Sequence, residues 1–312
     1  MLKKKDLLGI KELDKDEIIE ILHSAELMKY ILLQNSKKTP HLQGKSIVTL
    51  FYENSTRTRM SFELASKYMS AASANISASA SSVSKGETLI DTGRTLDRMG
   101  ADIIIIRHPM SGAAHILARH VNAGVINAGD GMNEHPTQAL LDMFTIKEKK
   151  GKIEGLKIAI VGDVYHSRVA RSNIWGLLKM GADVWVAGPS TLLPVQLNKI
   201  GIHVTNDVNE AIQKADVVMG LRIQKERQQK GLFPTEREYA KYFGINEERM
   251  KLAKNDAIVM HPGPLNRGVE MSSEVADSSC SFINEQVMNG VAVRMALLYL
   301  LTRRSVSNEA MH

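Results

Sequence analysis

Four consecutive isoleucines, Ile103 to Ile106, stand between Asp102 and Arg107. A strand with one face in water alternates apolar and polar residues, so an unbroken apolar run predicts a strand buried on both faces. Sheets covered on both faces are mostly parallel, because the helices that connect parallel strands pack against them. The run therefore predicts an α/β fold with a parallel sheet and flanking helices.

The rest of the chain alternates helical and β-prone segments, and the alternation restarts after Gly151. A length of 312 residues exceeds the usual size of one hydrophobic core. We predict two α/β domains, each with a mainly parallel sheet flanked by helices, over residues 1–149 and 150–284. A helix over 138–150 links them, and a last helix, 285–303, is expected to pack back on the first domain. Further helices are predicted over residues 14–33, 56–69, 111–120, 168–180 and 207–214, and strands over 46–52, 102–107, 124–127, 156–161, 183–187, 216–221 and 257–260.

The composition disfavours several classes of partner. Aromatic residues make up 5% of the chain, which argues against a stacking surface for single-stranded nucleic acid. The formal charge of +6 comes mostly from scattered lysines, whereas arginines placed singly beside apolar runs suit small acidic metabolites. No apolar run approaches the roughly 20 residues of a membrane span. With Cys280 as the only cysteine and no signal-peptide pattern, we expect a cytoplasmic protein.

The string Ser55-Thr56-Arg57-Thr58-Arg59 follows a predicted strand and opens a predicted helix. Such a turn offers free backbone N–H groups and the positive end of a helix dipole, which together favour a phosphate. The hydroxyls add donors, and an arginine adds a cation that can bind two oxygens at once. An ordinary helix N-cap is the alternative for a lone Ser-Thr-Arg, but the whole string favours an anion site.

Two further motifs lie in the first half. Arg107-His108-Pro109 ends the four-isoleucine strand, and in open α/β sheets ligands bind outside the carboxyl ends of strands. A glycine-rich loop then leads to His135-Pro136-Thr137-Gln138 at a helix start, where His135 suits a carbonyl oxygen and Gln138 an amide. Zinc would need more ligands at suitable spacing, so no metal site is predicted.

The second half has three motifs of the same kind. Val161-Gly162-Asp163 follows a strand but lacks the further glycines of a dinucleotide-binding turn, which disfavours a nicotinamide-dependent oxidoreductase. Arg168 at that turn is either a carboxylate ligand or a surface arginine. Arg222-Ile223-Gln224 and His261-Pro262-Gly263-Pro264 close two more strands, and the prolines predict a rigid loop whose carbonyls could accept from an amide.

Together these motifs resemble the signatures of the aspartate/ornithine carbamoyltransferase family, in order and over nearly the whole chain. Three features resemble the aspartate branch. Residues 70–84 are rich in Ser and Ala, which by composition alone predicts a flexible linker, but Ser81 and Lys85 match that branch's substrate loop. Pro262 stands where the ornithine enzymes have a cysteine. Arg168 and the Arg222 motif resemble ligands of the aspartate carboxylates, and such arginines would repel a cationic ornithine side chain.

The resemblance implies a role for each matching residue. Carbamoyl phosphate would be bound by Ser55, Thr56, Arg57, Thr58, Arg107, His135, Gln138, Pro262 and Gly263, and aspartate by Lys85, Arg168, Arg222 and Gln224. The catalytic residues would be Arg57, Thr58, Arg107, His135 and Lys85, with Ser81 and Lys85 contributed by an adjacent subunit.

The implied activity joins the carbamoyl group of carbamoyl phosphate to L-aspartate, an early committed step of pyrimidine synthesis. Neither a metal nor another cofactor is implied. The expected assembly is a homotrimer, and the resemblance leaves open whether two trimers combine with separate regulatory chains. No nucleic-acid or membrane partner is expected. Two alternatives stay open from the residues alone: a carbamoyltransferase for ornithine or another amine, and a non-catalytic anion-binding homologue.

Overall fold

The computed structural model describes residues 2–77, 86–223 and 235–309, and in the last helix it describes side chains up to residue 303. Ser81, Lys85 and Gln224 lie outside the described residues. The chain forms two compact units: unit 1 comprises Met1–Leu141 and Val287–His312, and unit 2 comprises Asp142–Gln286. The limits of these units are at 141/142 and 286/287, whereas the sequence prediction places the domain limits at 149/150 and 284/285.

Unit 1 is built on a parallel sheet whose described strands are ordered β2-β1-β3-β4. These strands are β1 (Ser46–Phe51), β2 (Ala72–Ser77), β3 (Ile103–His108) and β4 (Gly124–Asp130). Its helices are α1 (Lys15–Leu32), α2 (Thr56–Tyr68), α3 (Leu89–Arg98) and α4 (Ala113–Ala118). The predicted α/β class with parallel sheets is confirmed.

The four isoleucines occupy β3 near the middle of this sheet, and each is at most 1% exposed. Ile104 and Ile106 pack with Leu96 of α3 and Leu117 of α4 on one face of the sheet. Successive side chains in a strand point to opposite faces, so Ile103 and Ile105 fill the other face. Complete burial of an isoleucine stabilises the fold by about 1.5–3 kcal/mol, which makes β3 a main anchor of unit 1.

The prediction of a flexible linker over residues 70–84 is wrong for its first part. β2 (Ala72–Ser77) pairs in parallel with β1, beginning with Ser46 opposite Ala72. An edge strand is held by backbone hydrogen bonds on one side, and here most of its side chains are exposed, so it needs no apolar pattern. Composition therefore carried no signal for it. Residues 78–85 lie outside the described part of the chain.

Unit 2 contains a second parallel sheet, with its described strands in the order β7-β6-β5-β8-β9. These strands are β5 (Lys157–Val161), β6 (Asp183–Ala187), β7 (His203–Thr205), β8 (Val217–Gly220) and β9 (Ile258–Met260). Its helices are α6 (Arg168–Lys179), α7 (Val208–Ile212), α8 (Glu236–Phe243), α9 (Glu247–Met250) and α10 (Ser273–Ala276). The sequence did not predict β7, α8, α9 or α10.

Two helices, α5 (Pro136–Lys150) and α11 (Ile283–Glu309), contain the points at which the chain passes from one unit to the other. The C-terminal part of α11 belongs to unit 1, where Ala292, Val293 and Leu297 are fully buried. Among the helices of the described residues, none combines the length and the apolar character that crossing a bilayer requires.

Candidate active site

The first motif lies where β1 passes into α2. Ser55 is the N-cap of α2 in an extended conformation, and its side chain makes no cap hydrogen bond. Thr56 and Arg57 are exposed, whereas Thr58 is buried. The first N–H groups of a helix have no partner within the helix and carry the positive end of its dipole. The turn therefore presents the donors that a phosphate group requires.

Arg107 lies on the neighbouring strand, β3, with Phe51 of β1 as its Cα partner. Its Nε donates to Glu53 Oε2 over 3.1 Å, and the two side chains are 15% and 20% exposed. This ion pair holds the guanidinium at the carboxyl end of the sheet, beside the turn that opens α2. The sequence interpretation missed Glu53, although its position two residues after β1 was an available signal.

A compact loop between β4 and α5 is organised by Asp130, which is 1% exposed. The carboxylate accepts hydrogen bonds from Gly112 N at 2.6 Å, from Asn127 Nδ2 at 2.8 Å and from Glu134 N at 3.1 Å. Gly131 has φ +49°, and a Cβ there would lie 2.7 Å from Ser111 N, so the loop requires glycine at this point. These hydrogen bonds fix the conformation of the backbone that leads to His135.

Glu134 fastens the same loop to the N-terminal segment of unit 1. Its Oε2 accepts from Ile10 N at 2.7 Å and its Oε1 from Lys11 N at 3.2 Å. A Cβ at Gly9 would lie 2.5 Å from Glu134 Oε1, so the glycine leaves room for the carboxylate. Asp130 and Glu134 were not among the predicted site residues; the partners of Glu134, Ile10 and Lys11, are more than 120 residues away in sequence.

His135 and Gln138 are 5% and 8% exposed at the start of α5. Thr137 Oγ1 lies 3.4 Å from His135 Nδ1, and Arg294 Nη2 of α11 lies 3.4 Å from the same hydroxyl. Arg294 also donates to Gly290 O at 2.9 Å, and its guanidinium stacks 5.1 Å from the Phe62 ring centroid. The buried Arg294 therefore contacts His135 indirectly, through the hydroxyl of Thr137.

In unit 2, Arg168 is the first residue of α6 and is 4% exposed, which excludes the alternative of a solvated surface arginine. The turn before it is held by the fully buried Asp163, whose carboxylate oxygens both lie 3.0 Å from His166 Nδ1. Ser167 caps α6 by accepting from Ala170 N at 3.0 Å. The turn thus fixes the backbone on which Arg168 stands.

The other two motifs of unit 2 follow the neighbouring strands. Arg222 comes two residues after β8, which pairs with β5, and His261 directly follows β9, which pairs with β8. All three motifs therefore lie at the same edge of the parallel sheet. Gly263 has φ +63°, and its N donates to His261 Nδ1 at 2.9 Å. Only glycine adopts this conformation without strain, so Gly263 sets the shape of the loop.

Burial shifts the pKa of two titratable groups near these motifs. Burial lowers the pKa of His108 below its usual 6.5, although Glu53 and Asp130 act in the opposite direction. The hydroxyl of Tyr239 in α8 is buried, and burial, together with Glu270 and Asp163, raises its pKa far above 10.0. Both groups stay neutral near pH 7, so neither adds charge to an anion site.

The structure thus places the predicted residues in two groups, one in each unit. In unit 1, the residues at the turn, on β3 and at the start of α5 lie at the carboxyl edge of the sheet. In unit 2, the residues after β5, β8 and β9 share the equivalent edge of the second sheet. Ser81, Lys85 and Gln224 fall outside the described residues, so their predicted roles stay predictions.

Turns and arginines at the carboxyl edges of two parallel sheets suit small anionic ligands, and family models identify the class of protein. The model for the carbamoyl-phosphate-binding domain of aspartate/ornithine carbamoyltransferases matches residues 5–148. The model for the Asp/Orn-binding domain of the same family matches residues 154–301. The chain belongs to the aspartate/ornithine carbamoyltransferase family.

Within the family, the chain is similar to aspartate carbamoyltransferase catalytic subunits. The subunit of Acetivibrio thermocellus is 72% identical over 304 residues, which cover 97% of each chain. That of Ruminiclostridium cellulolyticum is 71% identical over 308 residues, covering 99% of this chain and 98% of the relative.

Solved structures of the family have the same fold. Aspartate transcarbamoylase from Trypanosoma cruzi in complex with carbamoyl aspartate and phosphate matches with a TM-score of 0.87 at 33% identity, covering 96% of each chain. Ornithine carbamoyltransferase from Pyrococcus furiosus matches with a TM-score of 0.84 at 32% identity, covering 94% of this chain and 95% of the other.

Proposed function

We propose that the chain transfers the carbamoyl group of carbamoyl phosphate to the amine of L-aspartate, releasing N-carbamoyl-L-aspartate and phosphate. The observation that carries the proposal is the 72% and 71% identity to aspartate carbamoyltransferase catalytic subunits over almost the whole chain. Fold similarity alone does not choose the acceptor, because an ornithine enzyme matches nearly as well as an aspartate enzyme.

The choice of aspartate is supported by charge. Arg168 is buried at the start of α6, and Arg222 follows the neighbouring strand at the same sheet edge. Two guanidinium groups suit the two carboxylates of aspartate, since each can donate two hydrogen bonds to one carboxylate. A cationic ornithine side chain would be repelled by the same groups. Gln224 and Lys85 complete the proposed aspartate ligands.

In unit 1, the turn of Ser55, Thr56, Arg57 and Thr58 is proposed to hold the phosphate. Arg107 would reach both phosphate and carbonyl oxygen, and Gln138 would hold the carbamoyl nitrogen. The backbone of Pro262 and Gly263, which belong to unit 2, is proposed as a further acceptor for the carbamoyl nitrogen. The neutral amine of aspartate attacks the carbamoyl carbon and forms a C–N bond, and the C–O bond to phosphate then breaks. The departing phosphate takes the amine proton. Each donor to the developing oxyanion contributes about 3–4 kcal/mol in comparable sites.

His135 is proposed to polarise the carbonyl oxygen, which requires a proton on the ring nitrogen that faces the substrate. A guanidinium only donates hydrogen bonds, so the Thr137 hydroxyl accepts from Arg294. We propose that this hydroxyl in turn donates to His135 Nδ1, 3.4 Å away. With Nδ1 as the acceptor, the ring proton of His135 would sit on Nε2, which suits a donor to the carbonyl.

We further propose a homotrimer in which Ser81 and Lys85 act in the site of an adjacent subunit. The support is the resemblance of residues 81–87 to the corresponding loop of the aspartate branch. Binding of regulatory chains to two such trimers, and a cytoplasmic location, stay predictions from the sequence.

The purified chain, incubated with carbamoyl phosphate and either L-aspartate or L-ornithine, tests the activity. We expect N-carbamoyl-L-aspartate in the first mixture and no citrulline in the second, both measured by mass spectrometry. Citrulline without carbamoyl aspartate would move the chain to the ornithine branch. No product from either amine would favour the non-catalytic alternative.

A further inference from the structure

The first histidine of the His-Pro-Gly-Pro motif, His261, has no role in the proposed chemistry. Its side chain is 0% exposed, so it cannot reach a substrate that enters from solvent. Its Nδ1 accepts from Gly263 N at 2.9 Å, which places the ring proton on Nε2. The imidazole therefore has a structural position: it is buried and hydrogen-bonded to the loop that carries Pro262 and Gly263.

A buried glutamate, Glu270, contacts both ends of this loop and is hydrogen-bonded to one of them. Glu270 is 1% exposed, and its Oε1 accepts from Asn266 N at 2.7 Å. The same oxygen lies 3.3 Å from His261 Nε2, the nitrogen that carries the proton. The carboxylate therefore holds the end of the segment that carries Pro262 and Gly263 through Asn266 N, and it lies against the His261 ring at the beginning of that segment.

A second buried group, Gln286 in α11, fixes the backbone of His261. Its Nε2 donates to Asp142 Oδ1 at 2.7 Å, and its Oε1 accepts from His261 N at 2.9 Å. Asp142 Oδ2 in turn accepts from Asn173 Nδ2 at 2.8 Å. A carboxylate only accepts hydrogen bonds, so Asp142 fixes which end of the Gln286 amide faces the loop.

We propose that Glu270 and Gln286 are positioning residues for carbamoyl recognition, a role that rests on the proposed function. Their hydrogen bonds aim the backbone carbonyls of Pro262 and Gly263 at the carbamoyl nitrogen. A ligand without an amino group has no hydrogen to donate to these carbonyls, so its binding does not depend on them. Loss of either side chain therefore weakens recognition of the amino group and leaves phosphate recognition intact.

The test compares three ligands by calorimetric titration of the full chain. Carbamoyl phosphate has the amino group, acetyl phosphate has a methyl group in its place, and inorganic phosphate lacks the acyl group. Gln286→Met and Glu270→Ala should each raise the Kd of carbamoyl phosphate about tenfold, the loss expected when one hydrogen-bonded partner is removed. The Kd values of acetyl phosphate and inorganic phosphate should stay as in the wild-type chain.

Glu270→Gln is the conservative variant, because its amide oxygen can still accept from Asn266 N. It should bind carbamoyl phosphate nearly as the wild-type chain does. Arg267→Ala is the matched control: it removes an exposed ion pair with Asp277 from the same loop and should change no Kd. Deuterium uptake by the Gly263 and Asn266 amides should rise in Gln286→Met and Glu270→Ala and stay unchanged in the control.

Equal weakening of all three ligands would show a general structural role and overturn the proposal, as would unchanged binding of carbamoyl phosphate. A Glu270→Gln chain as weak as Glu270→Ala would also contradict it. If either Gln286→Met or Glu270→Ala does not fold, the other variant still tests the proposal, because the two substitutions remove different hydrogen bonds. A wild-type chain with no carbamoyl transfer would overturn the proposed function itself, and the inference with it.

Discussion

Arg107 illustrates how a single residue is prepared for anion chemistry before any substrate arrives. Glu53 accepts from its Nε, which leaves the terminal guanidinium nitrogens at the carboxyl end of β3. Side chains held in position before binding lose less entropy when the ligand arrives. The sequence placed Arg107 at a strand end, but it gave no sign of Glu53, because that contact depends on the pairing of β1 with β3.

Arg107→Ala should therefore lower kcat by about a hundredfold or more, since it removes a donor to the developing oxyanion. The free energy of unfolding should change little, because the side chain is not part of the core. Steady-state kinetics and urea unfolding measure the two quantities. Arg119→Ala, which removes an exposed arginine of the same unit, is the control and should retain normal turnover.

Thr137→Val should lower kcat about tenfold, because the valine keeps the shape of the side chain but cannot donate to His135 Nδ1. Thr137→Ser restores the hydroxyl and should recover most of the activity. Nitrogen-15 shifts of labelled His135 give the tautomer directly. A proton on Nδ1 in the wild-type chain would contradict the arrangement proposed above.

His108 makes stability depend on pH in a defined direction. Burial lowers its pKa below the usual 6.5, so the unfolded chain takes up the proton first as the pH falls. Its contribution to the free energy of unfolding is complete above pH 6.5 and is lost as the pH falls below it. Urea unfolding at about pH 7.5 and about pH 5.5 should show a smaller difference for His108→Gln than for the wild-type chain.

Among the structural elements, α1 and α2 differ in whether the N-cap side chain bonds to the first turn of its own helix. Asp14 accepts from Glu17 N and Glu17 accepts from Asp14 N, so α1 begins with a capping box. Ser55 occupies the equivalent position of α2 but makes no side-chain cap bond. The α2 terminus is therefore unsatisfied by its own cap, which fits a turn built to receive an external anion.

Asp14→Ala should lower the free energy of unfolding by about 1 kcal/mol, the usual cost of losing an N-cap. Ser55→Ala should lower it by much less, because no cap bond is lost, yet it should raise the Kd for inorganic phosphate. Thermal unfolding and phosphate titration of both variants check the contrast. Two equal losses of stability would show that Ser55 is a cap after all.

The elements that the sequence predicted are those whose own side chains carry the pattern. The apolar run of β3 and the i, i+3, i+4 spacing in α1 are local signals, and both elements were predicted within one or two residues. β2 and β7 lie at sheet edges, so backbone pairing forms them and their side chains show little pattern. Glu134 and Gln286 were missed because their contacts join segments far apart in sequence. Asp130 and Glu270 were missed because their hydrogen bonds within a loop depend on a loop conformation that no sequence pattern gives.

At the scale of the whole molecule, the proposed trimer makes each site depend on two chains. Lys85→Ala and Arg107→Ala chains should each be nearly inactive alone, because each removes a proposed ligand from every site. After they are mixed, dissociated and reassembled, some sites would combine an intact Arg107 with an intact Lys85 from a neighbour.

Activity should therefore reappear in the mixture, and size-exclusion chromatography with light scattering should give the mass of a trimer. The control mixes Arg107→Ala with His135→Ala, two residues proposed to act within one chain, so no site gains a complete set. Recovery in both mixtures, or in neither, would contradict a shared site.

Unit 1 is discontinuous, since Met1–Leu141 is completed by Val287–His312. During synthesis the ribosome makes all of unit 2 before it releases the helix that covers Phe62 and Thr137. At ordinary elongation rates this delay lasts on the order of ten seconds. The nascent first unit must wait incomplete for that time with part of its apolar interior uncovered, whereas unit 2 can close as soon as its last residues have left the exit tunnel. The order of synthesis therefore leaves unit 1, and not unit 2, with apolar surface exposed on the nascent chain.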